Sequence, residues 1–192
     1  MSAQASHESP VTPGFLHVLN TRVNLMNRPL IALIPLMFLT GCGESEQSAL
    51  QKQFLLQSAP KSLSAISRVR KTLKKDEAPK SIEVALEGKI YAGKENEPWE
   101  PGRAAFFLTY FGGHDGESDH DPFECGYCSS TIEDYRAFVQ FRDSAGNVIG
   151  IDSRELLNVK EKQNVIVKGT ATLDPSGEEV LIDGTGIYIP KK

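Results

Sequence analysis

The chain has 192 residues, 40% of them hydrophobic and 24% charged, which leaves room for one modest domain with ancillary segments. Its net charge of -4 argues against a general polyanion binder, because a phosphate backbone rewards a basic face. No apolar run is long enough to span a bilayer as a helix.

Residues 1–25 form a long polar leader without pattern, as expected if translation starts at Met26. From there the order is that of an export signal. Arg28 supplies one positive charge, residues 30–39 an apolar core, and Leu39-Thr40-Gly41-Cys42 a close of small residues before a cysteine. This tetrad resembles the lipobox of bacterial lipoproteins, a resemblance confined to residues 26–42. It implies that Cys42 is acylated through its sulfur and becomes the first residue of the mature protein, which makes the membrane a partner. The resemblance further implies outer-membrane placement on the periplasmic face in a cell with two membranes, because Gly43, not Asp, follows the cysteine. A plain secretory peptide, or a buried apolar segment with a chance cysteine, is the alternative.

In either case residues 1–41 are expected to be absent from the working protein. Losing Arg22, Arg28 and Glu8 takes the net charge from -4 to -5. Losing His7 and His17 leaves His114 and His120 as the remaining histidines, beside Cys125 and Cys128 as the cysteines other than Cys42.

Residues 43–53 are polar and read as a tether. Leu63, Ile66, Val69 and Leu73 then fall on one stripe of an amphipathic helix, with Ser62 or Ser64 placed to cap it and Arg68, Arg70, Lys71, Lys74 and Lys75 off the stripe. That basic face is read as a solvated surface, with contact to anionic headgroups as the alternative. Pro79 ends the helix by about Glu77. The expected organisation is thus a removed leader and signal (1–41), a tether and amphipathic helix (42–80), and a β domain (81–192).

Within that domain the period changes to alternation. Val84, Leu86 and Ile90 mark a first strand, residues 104–111 a second and 137–142 a third, which turns through 143–147 into an extension at 148–152. Ser153 is placed to cap a short helix over 153–157. Residues 164–173 and 180–189 are the last strands, joined by the turn signal Asp174-Pro175-Ser176-Gly177. The fold class is mainly β, with five to six strands and one short inserted helix. The stretches 86–90, 105–108, 165–169 and 186–189, in that order, resemble an OB-fold, a small Greek-key barrel. A small β-sandwich is the alternative.

The loop at 112–128 carries the chemistry. His114, His120, Cys125 and Cys128 fall in one stretch without apolar periodicity, and a loop this long inside a small domain needs something to order it. Neutral imidazole and thiolate suit a tetrahedral transition-metal site, and the Cys-x-x-Cys turn lets two sulfurs converge on one point. Zinc is the expected ion and copper the alternative. Asp115, Glu117, Asp119, Asp121 and Glu124 would lower the local potential for a cation and could accept hydrogen bonds from the imidazoles.

Two other readings of the loop stay open. Cys125-Gly126-Tyr127-Cys128 looks like the active-site tetrapeptide of periplasmic disulfide isomerases of the thioredoxin superfamily, which would make the pair a dithiol or a disulfide. The chain has no βαβ pattern to carry such a centre. The other reading takes the histidines as ordinary surface residues of an acidic loop. No G-x-S-x-G elbow or phosphate-cradling loop is present, so a binding or structural module is expected before an enzyme. Phe106, Phe107, Tyr110, Phe111, Phe138 and Phe141 lie on the second and third strands, where an oligonucleotide-binding barrel would carry aromatics. The acidic balance makes nucleic acid an unlikely partner, and about half of these rings should be core.

Overall fold

The structure, a computed structural model, describes residues 46–75, 80–112 and 120–191. Strand β1 (Ile82–Ile90) keeps the alternation read from its sequence: Val84, Leu86 and Ile90 are buried, while Glu83 and Glu87 face out. β2 (Ala105–Thr109), β3 (Arg136–Phe141), β4 (Asn164–Leu173) and β5 (Val180–Tyr188) follow, with a 3-10 segment (Cys128–Asp134) leading into β3. The five strands form one mixed sheet in the order β1-β2-β3-β5-β4. All pairings are antiparallel except β3 with β5.

Pairing of β4 with β1 brings the sheet round on itself, but unevenly. β1 runs beside β4 from Ile82↔Ala171 to Lys89↔Asn164, whereas it meets β2 only at Lys89↔Thr109 and Ile90↔Leu108. The domain is therefore mainly β, a curled mixed sheet with a few short helices and a thin β1–β2 seam. A β-bulge follows Lys168, where β4 and β5 approach so closely that a Cβ on Gly169 would sit 2.3 Å from the Asp183 carbonyl oxygen.

Two helices that precede the sheet in sequence add to the core. Most of the stretch expected to be a tether, residues 43–53, falls in α1 (Glu46–Phe54). Phe54 is buried edge-on against Phe141 at 4.9 Å between centroids, with Leu50 one turn earlier packed on the same core. One anchoring ring in a polar segment is a weak signal in sequence and a strong one in packing.

α2 (Ile66–Leu73) buries Ile66 and Val69 as its stripe required. Leu63 lies before the helix and is 45% exposed. Neither predicted serine caps α2: Ala65 holds the N-cap position without a side-chain bond, and Ser64 instead gives its N–H to the Ala85 carbonyl at 2.8 Å, which stitches the segment to β1. Among the described residues no helix is long and apolar enough to cross a membrane.

The extension expected at 148–152 shrinks to one bridge, Arg142↔Val148. Ile149 still gives its N–H to the Phe141 carbonyl at 3.0 Å, while its own carbonyl accepts the Ala104 N–H at 2.9 Å. α3 (Ser153–Leu157) is where it was expected, but its cap is Asp152, whose carboxylate accepts from the Arg154 N–H. Ser153 is buried and its hydroxyl donates to the Arg103 carbonyl. The aromatics divide as the period of two demands. Phe106 and Phe141 are fully buried, while Phe107 and Phe138 meet on the other face at 5.0 Å, with the Arg136 guanidinium over Phe107.

Candidate metal centre

The connection between β2 and β3 carries the site, and its second half is held to the sheet at several points. Phe123 packs edge-on against Tyr91, just beyond β1, at 5.6 Å between centroids. The same ring lies over Gly93, whose φ of +98° favours a residue without Cβ and whose Cβ would stand 3.1 Å from it. Asp121 accepts the Phe123 N–H at 2.9 Å through its carboxylate and the Glu124 N–H through its carbonyl. Glu124 is paired with Lys94. These carboxylates, expected to orient imidazoles, are thus engaged with the loop's own backbone and a surface lysine. The first half of the loop, with Asp115, Glu117 and Asp119, lies outside the described residues.

From this footing the chain turns through Cys125-Gly126-Tyr127-Cys128, closed by the Ser129 N–H on the Cys125 carbonyl at 2.9 Å. Cys128 begins the 3-10 segment and is fully buried. Its N–H donates to Cys125 Sγ at 3.4 Å, and its own sulfur lies 3.3 Å from His120 Nε2. The ligand atoms of His120, Cys125 and Cys128 all stand within 4.8 Å of one another. In a tetrahedral zinc site, bonds of about 2.3 Å to sulfur and about 2.0 Å to nitrogen put S and N about 3.5 Å apart and two sulfurs about 3.8 Å apart. The observed cluster is within small side-chain rotations of that geometry.

Electrostatics favour a thiolate at Cys125. The Cys125 thiol is lowered to about 7, chiefly by the Cys128 N–H directed at it, with help from the Tyr127 N–H and His120 against the cost of burial. The Tyr135 hydroxyl hydrogen-bonds the Cys128 side chain, and this bond, with burial, pushes it up to about 12. Tyr135 therefore stays a donor toward that sulfur.

Of the four ligands expected from sequence, three meet. His114 lies outside the described residues, as does Cys42. Tyr135 was not foreseen, since nothing in its sequence neighbourhood marks it. It reaches Cys128 only because the 3-10 segment, kinked at Thr131, folds back before β3. No family model and no curated protein matches the chain. Chemically, the group can hold a thiophilic divalent cation or close to a disulfide.

Proposed function

We propose that this protein binds a transition metal, zinc first and copper second, through His120, Cys125 and Cys128. His114 is the proposed fourth ligand, and the ion orders the loop between β2 and β3. The observation that carries the reading is the convergence of one imidazole nitrogen and two sulfurs within 4.8 Å at the end of a long polar loop. Cys128 at the buried base of the loop supports a structural role, because an ion held there ties the connection to the frame that starts β3. The frame itself we take to be an OB-like Greek-key barrel. The order β1-β2-β3-β5-β4 and a short helix between β3 and β4 support that assignment.

The setting we propose is the cell envelope, with the domain tied to the outer membrane through acylated Cys42. The support is the ordered signal of residues 26–42. Palmitate labelling that follows the wild type and is lost in Cys42→Ser is the expected result, and a labelled variant overturns the anchor.

Elemental analysis of the purified protein, with thiol counting before and after chelation, tests the metal. One equivalent of zinc, with Cys125 and Cys128 protected from alkylation until the chelator is added, is expected. A second reading, a thiol-disulfide protein using Cys125 and Cys128, draws on the proximity of the two sulfurs and the lowered Cys125 thiol. Metal-free protein that cycles between dithiol and disulfide would establish it instead.

A further inference from the structure

The two cysteines of the centre stand in unlike surroundings. Cys125 is partly exposed on a turn whose tip is open, since a Cβ on Gly126 would meet nothing within 4 Å and the Tyr127 ring is 70% exposed. Cys128, three residues on, is fully buried under that turn, with His120 and Tyr135 at its sulfur. Cys125 is thus the more exposed of the two cysteines. The other waits behind it within 4.8 Å, and the turn between them has space to tighten to the roughly 2.05 Å of a disulfide.

We infer that the centre is a peroxide-sensitive switch that holds either a metal ion or the Cys125–Cys128 disulfide, with Cys125 as the attacking sulfur and Cys128 as the resolving one. This rests on the metal reading above and adds its regulation. The co-reactant is a hydroperoxide. The Cys125 thiolate attacks the terminal peroxide oxygen; an S–O bond forms, the O–O bond breaks, and hydroxide or alkoxide leaves with a proton from solvent as water or alcohol. Cys128 sulfur then attacks Cys125 sulfur; the S–S bond forms, the S–O bond breaks, and a second hydroxide leaves as water. The two sulfurs give up two electrons and the peroxide takes them. With both thiolates consumed, His120 is the remaining described ligand, and the divalent ion departs.

The test uses the full chain purified in detergent, reduced and loaded with zinc, then titrated with hydrogen peroxide. Released zinc is read with a chromophoric chelator and the cysteines by peptide mass mapping. The expected result is one zinc released per peroxide consumed, a Cys125–Cys128 crosslink lighter by two hydrogens than the dithiol, and recovery of zinc binding after reduction. A brief pulse of iodoacetamide on the reduced, metal-free chain should label Cys125 about tenfold or more ahead of Cys128. That measurement needs no substitution at a buried position. Zinc retained under peroxide overturns the switch, as does zinc release with Cys125 carried to sulfinic acid and no crosslink. Equal labelling of the two cysteines refutes the order of attack. If the reduced chain takes up no zinc at all, the metal reading itself fails, a result distinct from each of these.

Discussion

Replacing Cys128 by serine separates metal binding from folding. The residue is fully buried at the start of the 3-10 segment, and its neighbours His120 and Tyr135 can partner a hydroxyl as well as a thiol. The intrinsic cost of Cys128→Ser should therefore be modest, about 1–3 kcal/mol. Loss of one of two thiolates, by contrast, would remove the hold on zinc proposed for the centre. A ligand that binds only the folded state stabilises it by RT ln(1 + [L]/Kd), about 2.7 kcal/mol at a hundredfold excess over Kd. For a domain of this size each kcal/mol moves Tm by about 2–4 °C, so zinc should raise the wild-type Tm by about 5–10 °C. Differential scanning fluorimetry of reduced protein, with zinc and with a chelator, measures the shift. The expected outcome is a chelated Tm lower by about 2–12 °C for Cys128→Ser and no zinc-dependent rise. A variant whose Tm still climbs with zinc by the wild-type amount would remove Cys128 from the ligand set and undo the reasoning.

Tyr135→Phe deletes only the hydroxyl that donates to Cys128, so zinc affinity by competition titration should fall about tenfold or more while the chelated Tm hardly changes. Phe54→Ala empties the position packed against Phe141 and should cost about 3–5 kcal/mol in urea unfolding; a loss below about 1 kcal/mol would mean that α1 is not part of the core. The Asp152 carboxyl, held at about 2 mainly by the Arg154 guanidinium, stabilises the fold above its unfolded value of about 3.9. That contribution fades as pH falls from about 4 through about 2. Because Arg154 is half exposed, solvent screening limits the gain to about 1 kcal/mol. Asp152→Asn should therefore be less stable than wild type at neutral pH, and the gap should close on acidification. A gap that stays constant down to about pH 2 would show that the charge contributes nothing.

Much of the sheet was legible because burial on one face writes itself as alternation. The bounds of β4 follow from Val165 and Val167 set against Asn164 and Lys168, and the Asp174-Pro175-Ser176-Gly177 turn from residues whose chemistry demands it. In that turn the Asp174 carboxylate accepts the Glu178 and Glu179 N–H groups, and Gly177 takes φ +75°. The parts that were not legible rest on partners far away in sequence. α1 depends on one ring finding Phe141, and the bridge from Ser64 to Leu86 leaves no local pattern. At the site, the meeting of His120, Cys125 and Cys128 could be read from their clustering in one short stretch, whereas the approach of Tyr135 depends on the kinked 3-10 segment that leads into β3.

The surroundings of the 3-10 segment give reason to place an ion-ordered loop there. Its first residue is Cys128 and its last is Asp134, which accepts a hydrogen bond from Arg70 of α2 at 2.9 Å. The Arg70 side chain is 14% exposed and also reaches Glu178 in the turn before β5, as does Lys74. The basic residues read from sequence as one solvated face are therefore divided. Arg70 and Lys74 clamp α2, the 3-10 segment and the β4–β5 turn together. One end of the segment is fixed by these ion pairs and by β3, and the other ends in a buried sulfur beneath a long polar loop. Ordering a loop costs backbone entropy of about 1–2 kcal/mol per residue, and the contacts of Phe123 on Tyr91 and the Asp121 bonds act against that cost. A metal bond at Cys128, as proposed, would act where a fixed frame meets this connection, so its stabilisation would pass directly to the loop.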